Sequence, residues 1–371
     1  MQSSCHVAIA RAMIHCWRIV WCLLGAAALA AEAAQEEAVS LPSIGVAFEP
    51  FVWLEHVNLN SGHEWSETLE AFWFEVLRFG RDPRAPAVLN LTNAARGSAA
   101  VGKLGGLRWA NVGLQQAHLP FGDELEIGRH PSQTLRGEIV LAWPPAKIPA
   151  LRNRLATHGY DVQKDDRFRG PFGNRFAVEA ASTKFGPFVG DLKDASLPGG
   201  DTEGLGIRAL RFDVGPSTAS SICAFYDVFF RAATETSSSE GGQGRCVVRV
   251  GHSQSLEFHE SPEGHTTPYD GHHVALYVNG PAFVETYERL DQSNLVYFNP
   301  RFPQFRYDTL DDALRFNEFR LLDIIDPHSG RHVYQLEHEI RNLRHHGFDP
   351  LRHRLQLQQQ EEEPPDLRTD L

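Results

Sequence analysis

The sequence is poor in cysteine, in basic runs and in long apolar stretches, and each shortage narrows the possibilities. Of its five cysteines, Cys5, Cys16 and Cys22 fall in the first 33 residues, which leaves only Cys223 and Cys246 for the rest of the chain. Two cysteines cannot build a disulfide scaffold. One bridge in an oxidising compartment and two buried thiols both stay open, because Cys223 reads as helical while Cys246 opens a strand. Lysine and arginine number 35 against 47 aspartates and glutamates, a formal charge of −12. Without a lysine-rich block the chain has no basic face for a phosphate backbone, so nucleic acid is not expected as a partner. Two catalytic signatures are also missing: there is no Gly-x-x-x-x-Gly-Lys phosphate loop and no nucleophile elbow. The stretch Gly102-Lys103-Leu104-Gly105-Gly106 reads as a turn.

The apolar run from Ile19 to Ala31 falls short of the roughly 20 residues that span a bilayer as a helix. It follows Arg11, His15 and Arg18 and ends in small residues, the pattern of a signal peptide over residues 1–33 with cleavage near Ala31-Glu32-Ala33. The expectation is entry into the secretory pathway or an extracellular location, with a plastid reached by a signal-peptide-led route as the alternative. No stable membrane span is expected once the leader is gone. Asn90-Leu91-Thr92 is then a glycosylation acceptor. At the other end, residues 351–371, with Glu361, Glu362 and Glu363 before two prolines, read as a disordered acidic tail.

What remains is long enough for two domains. The 31 glycines and 22 prolines are spread through the chain, which favours a strand-rich architecture with many turns. An internal echo divides it. Trp53-Leu54-Glu55-His56-Val57-Asn58-Leu59-Asn60 and Gly206-Ile207-Arg208-Ala209-Leu210-Arg211-Phe212-Asp213 both alternate with period two, as strands do. Each leads into an amphipathic helix, Trp65 to Phe79 and Ser217 to Ala232, with Ala71-Phe72-Trp73 and Ala224-Phe225-Tyr226 at equivalent points. A second strand-and-helix start follows in each half. Arg136–Ala142 precedes a helix from Ile148 to His158, and His272–Val278 precedes one from Pro281 to Leu290. The pattern predicts an α+β protein: a domain over 48–182, a linker over 183–205 and a second domain over 206–345. The segment Ser237 to Gly242 reads as a loop inside the second domain.

The ordered set of four strand signatures resembles the vicinal oxygen chelate superfamily, the glyoxalase, bleomycin-resistance and extradiol dioxygenase relatives. It is carried by Glu55-His56-Val57-Asn58-Leu59, Gln116-Ala117-His118-Leu119-Pro120, Gly173-Asn174-Arg175-Phe176 and His273–Val278, with an Asp326-Pro327-His328-Ser329-Gly330 turn before Val333–Glu337. The resemblance implies tandem paired βαβββ modules that form curved, incompletely closed barrels. It also implies metal ligands on the first and last strand of each module. Period two then selects inward-facing residues: His56, His118 and Glu138 in the first domain, where Ala177 stands in place of a carboxylate. In the second domain the positions hold Ala209, Glu257, His273 and Gln335, with Glu337 as a substitute if the register shifts by one pair. His338 falls on the opposite face and is read as structural, Glu257 has Arg211 as an alternative partner, and His345 and His346 are read as solvated.

Two imidazoles and a carboxylate converging on a cavity hold Fe, Mn, Zn or Ni with positions left open for substrate oxygens. The implied function is a glyoxalase-like, metal-dependent lyase, isomerase or dioxygenase acting on a small molecule with vicinal oxygens, with Glu138 or Glu257 as general base. A metal-free small-molecule binding protein of the bleomycin-resistance type, or a pseudo-enzyme, is the alternative. Tyr277 and Trp143 are expected near the cavities, where they would suit a planar ligand.

Overall fold

A computed structural model describes residues 50–96, 105–122, 132–182, 202–238, 242–262 and 268–347. The expected leader over 1–33 and tail over 351–371 lie outside the described residues, as do most of the 183–205 linker, the turn residues 102–104 and part of the Ser237–Gly242 loop.

Four modules follow one another in the chain. The first contains β1 (Phe51–Asn58), α1 (Glu67–Glu70) running on as a π-helical turn over Ala71–Val76, β2 (Gly80–Arg81), α2 (Ala85–Arg96), β3 (Gly106–Val112) and β4 (Gln115–Phe121). The second contains β5 (Gly137–Trp143), α3 (Ile148–Thr157), β6 (Arg167–Arg169) and β7 (Arg175–Ala180). The third contains β8 (Gly206–Val214), α4 (Ala219–Phe230), β9 (Thr234–Ser238), β10 (Gly244–Gly251) and β11 (Gln254–Glu260). The fourth contains β12 (His273–Val278), α5 (Gly280–Gln292), α6 (Leu310–Phe316), β13 (Glu318–Ile325) and β14 (His332–Asn342). These are the strand–helix–strands units read from the sequence, and among the described residues no closed barrel forms. Period-two patterning did not reveal α2, which opens beyond Pro83 and carries the exposed Leu91.

The modules assemble into two seven-stranded sheets, ordered β13-β14-β12-β1-β4-β3-β2 and β6-β7-β5-β8-β11-β10-β9. Within the sheets the partnership differs from chain order. β1 runs antiparallel to β12 and β5 antiparallel to β8, so the first module shares a sheet with the fourth and the second with the third. Each module offers one free edge strand, and complementarity at the edges decides which two meet. Gly137 on β5 sits so close to β8 that a Cβ there would lie 1.7 Å from the Arg211 carbonyl oxygen, and Glu138 then falls opposite Arg211.

The two sheets are joined at a defect. The β1–β12 register slips between Leu54 and His56, a bulge that leaves Glu55 without a partner on β12, and the β1–β4 ladder covers only His56 to Asn58 and so stops short of Leu54. Gln254 of the other sheet, itself buried, supplies the missing partners. Its Oε1 accepts from the Leu54 N–H at 3.1 Å, while its Nε2 donates to the carbonyls of Leu54 at 3.2 Å and Ile207 at 2.8 Å. Around this staple, α4 buries Ile222, Phe225, Tyr226, Phe229 and Phe230 in the main core. On the first sheet's side α5 contributes Phe283, Tyr287 and Leu290. Among the described residues no helix is long and apolar enough to cross a membrane.

Of the two arrangements left open for the cysteines, the structure has the bridge: Cys223 of α4 and Cys246 of β10 are disulfide-bonded, their Cα atoms 5.6 Å apart where the helix lies on the strand. Closing this loop restricts the unfolded chain and stabilises the fold by about 3 kcal/mol. Chemical denaturation of Cys223→Ser and Cys246→Ser should therefore show losses of that size, and the double variant no more than either single. Gln254→Leu, which strips three buried backbone groups of their partners, is expected to cost about 2–3 kcal/mol in the same measurement.

Candidate metal centre

The bulge in β1 has a chemical consequence. Strict alternation would send Glu55 and His56 to opposite faces, yet both line one cavity of about 480 Å³ in the first sheet. Its polar end is built from His56 on β1, His118 on β4, His273 on β12 and Glu339 on β14. His56, His273 and Glu339 are buried, and each offers one ligand atom such that all three lie within 4.8 Å of one another.

The protonation of these groups follows from burial. Desolvation lowers His56 below the usual histidine range despite the hydrogen bond to Glu55. It takes His273 to about 3 against the opposing pull of Glu339 and Glu337. Both imidazoles are neutral at pH 7. Burial pushes Glu339 upward, but the charges of Arg320 and Arg341 more than reverse this and keep it ionised. Neutral imidazoles and an ionised carboxylate are the forms that ligate a metal. His56 Nδ1 lies 3.2 Å from Glu55 Oε2, which sets Nδ1 as the protonated nitrogen and leaves Nε2 as a buried acceptor with no hydrogen-bond partner among the described residues. His273 Nε2 stands 3.4 Å from Glu339 Oε2. A cation would take the place of that long contact without breaking the stronger ones, so the donor set fits a divalent metal.

Glu339 is held from behind by arginine. Arg320 bonds Glu339, Glu337 at 2.7 Å and Glu318 at 3.1 Å, while Arg341 bridges Glu339 and Glu55. His118 has a different part. Its ring is stacked between His56, with centroids 3.7 Å apart, and Trp109 at 4.3 Å, and its Nε2 is 2.9 Å from Gln116 Oε1. It lines the cavity and braces His56, but it is not one of the three residues whose ligand atoms converge.

The sequence assigned His56 and His118 to one cavity and His273 to another, whereas the structure brings all three to one wall, and the carboxylate beside them, Glu339, was missed. Gln335 is on β14, on the same face as Glu339 but two pairs away, where its Nε2 donates to Asp323 Oδ1 at 2.9 Å. Glu337 also misses the converging set, held by Arg320 and by Asn299 Nδ2 at 2.5 Å. Alternation gives the face of a strand but not how far along it the partner strand lies. The register does: Glu337 is opposite His273 and Glu339 is opposite Ala275, which is itself opposite His56, and Gln335 lies beyond both.

Glu138 and Glu257 lie in the other sheet. There Arg211 reaches Glu138 at 2.8 Å, Glu257 at 3.0 Å and Glu179 at 2.6 Å, with Arg167 and Arg245 closing the cluster. Neither carboxylate meets His56 or His118, so the His56–His118–Glu138 grouping does not form and neither acid serves as base in this cavity. The registers of the two sheets correspond. His56, His118, His273 and Glu339 of the first sheet have Ala209, Glu257, Glu138 and Ala177 as counterparts in the second. A metal's place among the donors is thus answered in the second sheet by two alanines and a guanidinium.

Other expectations also change. His345 is buried against Glu318 at 3.2 Å, and both it and His346 line the cavity rather than facing solvent. Trp143 is in the main core and Tyr277 stacks on Trp53, so the aromatic lining comes instead from Trp109, Phe302 and Phe305. His338 is structural as expected, buried with its Nε2 against the Tyr226 hydroxyl at 2.5 Å.

The described residues form a paired-module α+β fold with two seven-stranded sheets. Among solved structures, the chain is similar to glyoxalase I from Zea mays at 9% identity, over 78% of this chain and 92% of that one, with a TM-score of 0.46. It is similar to a Bacillus subtilis protein described as a dioxygenase at 12% identity, over 80% and 86%, with a TM-score of 0.44. At these identities the likeness is one of fold alone. No family model matches the sequence, and no curated protein matches it.

The second-sheet cluster makes a prediction about acid stability. Burial works to raise Glu257, but hydrogen bonds from His259 and Arg211 and the charges of Arg211 and Arg245 bring it from 4.5 down to about 2. A depressed carboxylate contributes stability above its unfolded value that is lost as pH falls through the folded one. Urea unfolding between pH about 5 and about 2 should show this loss, and Glu257→Gln should flatten it. Arg211→Met, which strands the partly buried Glu138 and Glu257, is expected to destabilise the protein by about 3 kcal/mol at pH 7.

Proposed function

We propose that the protein is a metal-dependent enzyme of glyoxalase-like fold that acts on a small molecule carrying two neighbouring oxygens, as a lyase, isomerase or dioxygenase. The observation that carries this reading is the convergence of two neutral imidazoles and an ionised carboxylate, all buried, on one end of a cavity. His56, His273 and Glu339 would hold the ion, a set suited to Fe, Mn, Zn or Ni. Bound there, such an ion acts as a Lewis acid on adjacent oxygens of a substrate.

The chain's own residues supply the rest. Glu55 fixes the tautomer and tilt of His56, while Arg320 and Arg341 orient Glu339 and keep it ionised. The His56–His118–Trp109 stack fixes one wall. Leu107, Pro120, Phe302 and Phe305 line the same cavity as these polar groups, which favours a substrate with an oxygen-bearing head and an apolar or planar body. The Cys223–Cys246 bridge supports an oxidising compartment and so the secretory or extracellular location expected from the leader.

Elemental analysis of protein purified without added chelator tests the metal assignment. One equivalent of a first-row metal is expected in the wild type, with a loss of about 10- to 100-fold in affinity for Arg320→Met and a near-complete loss for His273→Ala and Glu339→Gln. Glu138→Gln should keep its metal. Full occupancy in both His273→Ala and Glu339→Gln would remove the assignment.

A further inference from the structure

We infer that Asn58 is a substrate-binding residue of this centre, whose side-chain amide donates a hydrogen bond to an oxygen of a ligand that chelates through two adjacent oxygens, one of them anionic. The inference rests on the metal reading above and adds the group that recognises the chelating oxygens. Asn58 ends β1, two residues beyond His56 on the same face, and lines the cavity. Its register partners are His118 on β4 and His273 on β12, so its Cα sits between two of the cavity's three strand-borne imidazoles. The side chain is buried, and Nδ2 has no hydrogen-bond partner among the described residues. A buried donor left unmade costs free energy, and the penalty is recovered when a ligand acceptor meets it.

The second sheet provides an independent observation. There the position of Asn58 is taken by Arg211, and the residues at the His118 and His273 positions are Glu257 and Glu138. Arg211 reaches both of those carboxylates, at 3.0 and 2.8 Å, as well as Glu179 at 2.6 Å, so a long side chain rooted at this point of the fold addresses what sits among the four ligand positions. In the first sheet the shorter amide keeps the N–H donor but stops short. What it addresses is therefore a bound molecule rather than a neighbouring side chain. The neighbours explain why the partner is not a residue: Gln116, the other amide on this wall, is already engaged by Asp82 at 2.7 Å, Asn111 at 2.8 Å and His118. An N–H aimed at an oxygen that gains negative charge also favours the transition state over the ground state of an enolisation.

The test uses the full protein loaded with cobalt(II), and acetohydroxamate, an anion with two adjacent oxygens, as the probe. Cobalt content is measured first, and probe affinity is then read from the change in the cobalt absorption bands. Asn58→Ala is expected to keep its cobalt and weaken acetohydroxamate by about 10- to 100-fold. Asn58→Asp, which replaces the donor with a repelling oxygen, should weaken it further, and Asn58→Ser, which restores a donor, should recover part of the affinity. Wild-type affinity in a fully loaded Asn58→Ala protein would overturn the role of Asn58 and leave the metal centre standing. Failure of the wild type to take up cobalt would overturn the metal reading and this inference with it.

Discussion

The antiparallel ladder between β1 and β12 is the constraint on which the rest of the molecule depends. It joins the first module to the last, across more than two hundred residues of chain, and places Asn58 opposite His273 and His56 opposite Ala275. Every donor of the candidate centre is positioned by that ladder or by a strand parallel to it, β4 on one side and β14 on the other. The bulge within it turns Glu55 toward the cavity beside His56, and Gln254 of the opposite sheet bonds the backbone N–H and carbonyl of the adjacent Leu54. Module pairing, sheet packing and site geometry are thus one structural fact seen at three scales.

The two sheets display two solutions to the same electrostatic problem. Carboxylates buried on a sheet's face need a counter-charge, because an isolated buried charge is costly. In the second sheet a guanidinium provides it permanently, and the cluster is closed. In the first, Arg320 and Arg341 neutralise the carboxylates from behind while the imidazole side of Glu339 holds only a long contact to His273. The first sheet keeps room for a cation, and the second has filled that room with protein.

Much of this was legible in the sequence. The strand–helix–strands order of each module, though two of the four carry one strand fewer than βαβββ, and the strands bearing His56, His118 and His273 follow from period-two alternation, which is a local property of a strand. The equivalence of strand positions was legible in part: Glu257 does stand where His118 stands and Glu138 where His273 stands, but the sequence put Glu138 and Ala177 in the cavity of His56 and matched Ala177 with Gln335, where the structure sets them in the other sheet and matches Ala177 with Glu339. Three things were not. Gln335 and Glu339 lie on one face of β14, and only the parallel register with β12 distinguishes them. Glu55 reaches the cavity through a bulge that alternation does not signal. The pairing of first with fourth module depends on which edge strands complement each other.

What the sequence by itself determined was the set of elements and the side-chain chemistry each carries, because hydrophobic periodicity acts within a few residues of chain. It also left the two cysteines as either bridge or thiols, and only the packing of α4 on β10 brought them within bonding distance. The tertiary structure alone decided which donors share a cavity. That decision is made by non-local strand pairing, in which hydrogen bonds between backbones carry no record of chain order, so the match of facing side chains selects the partner.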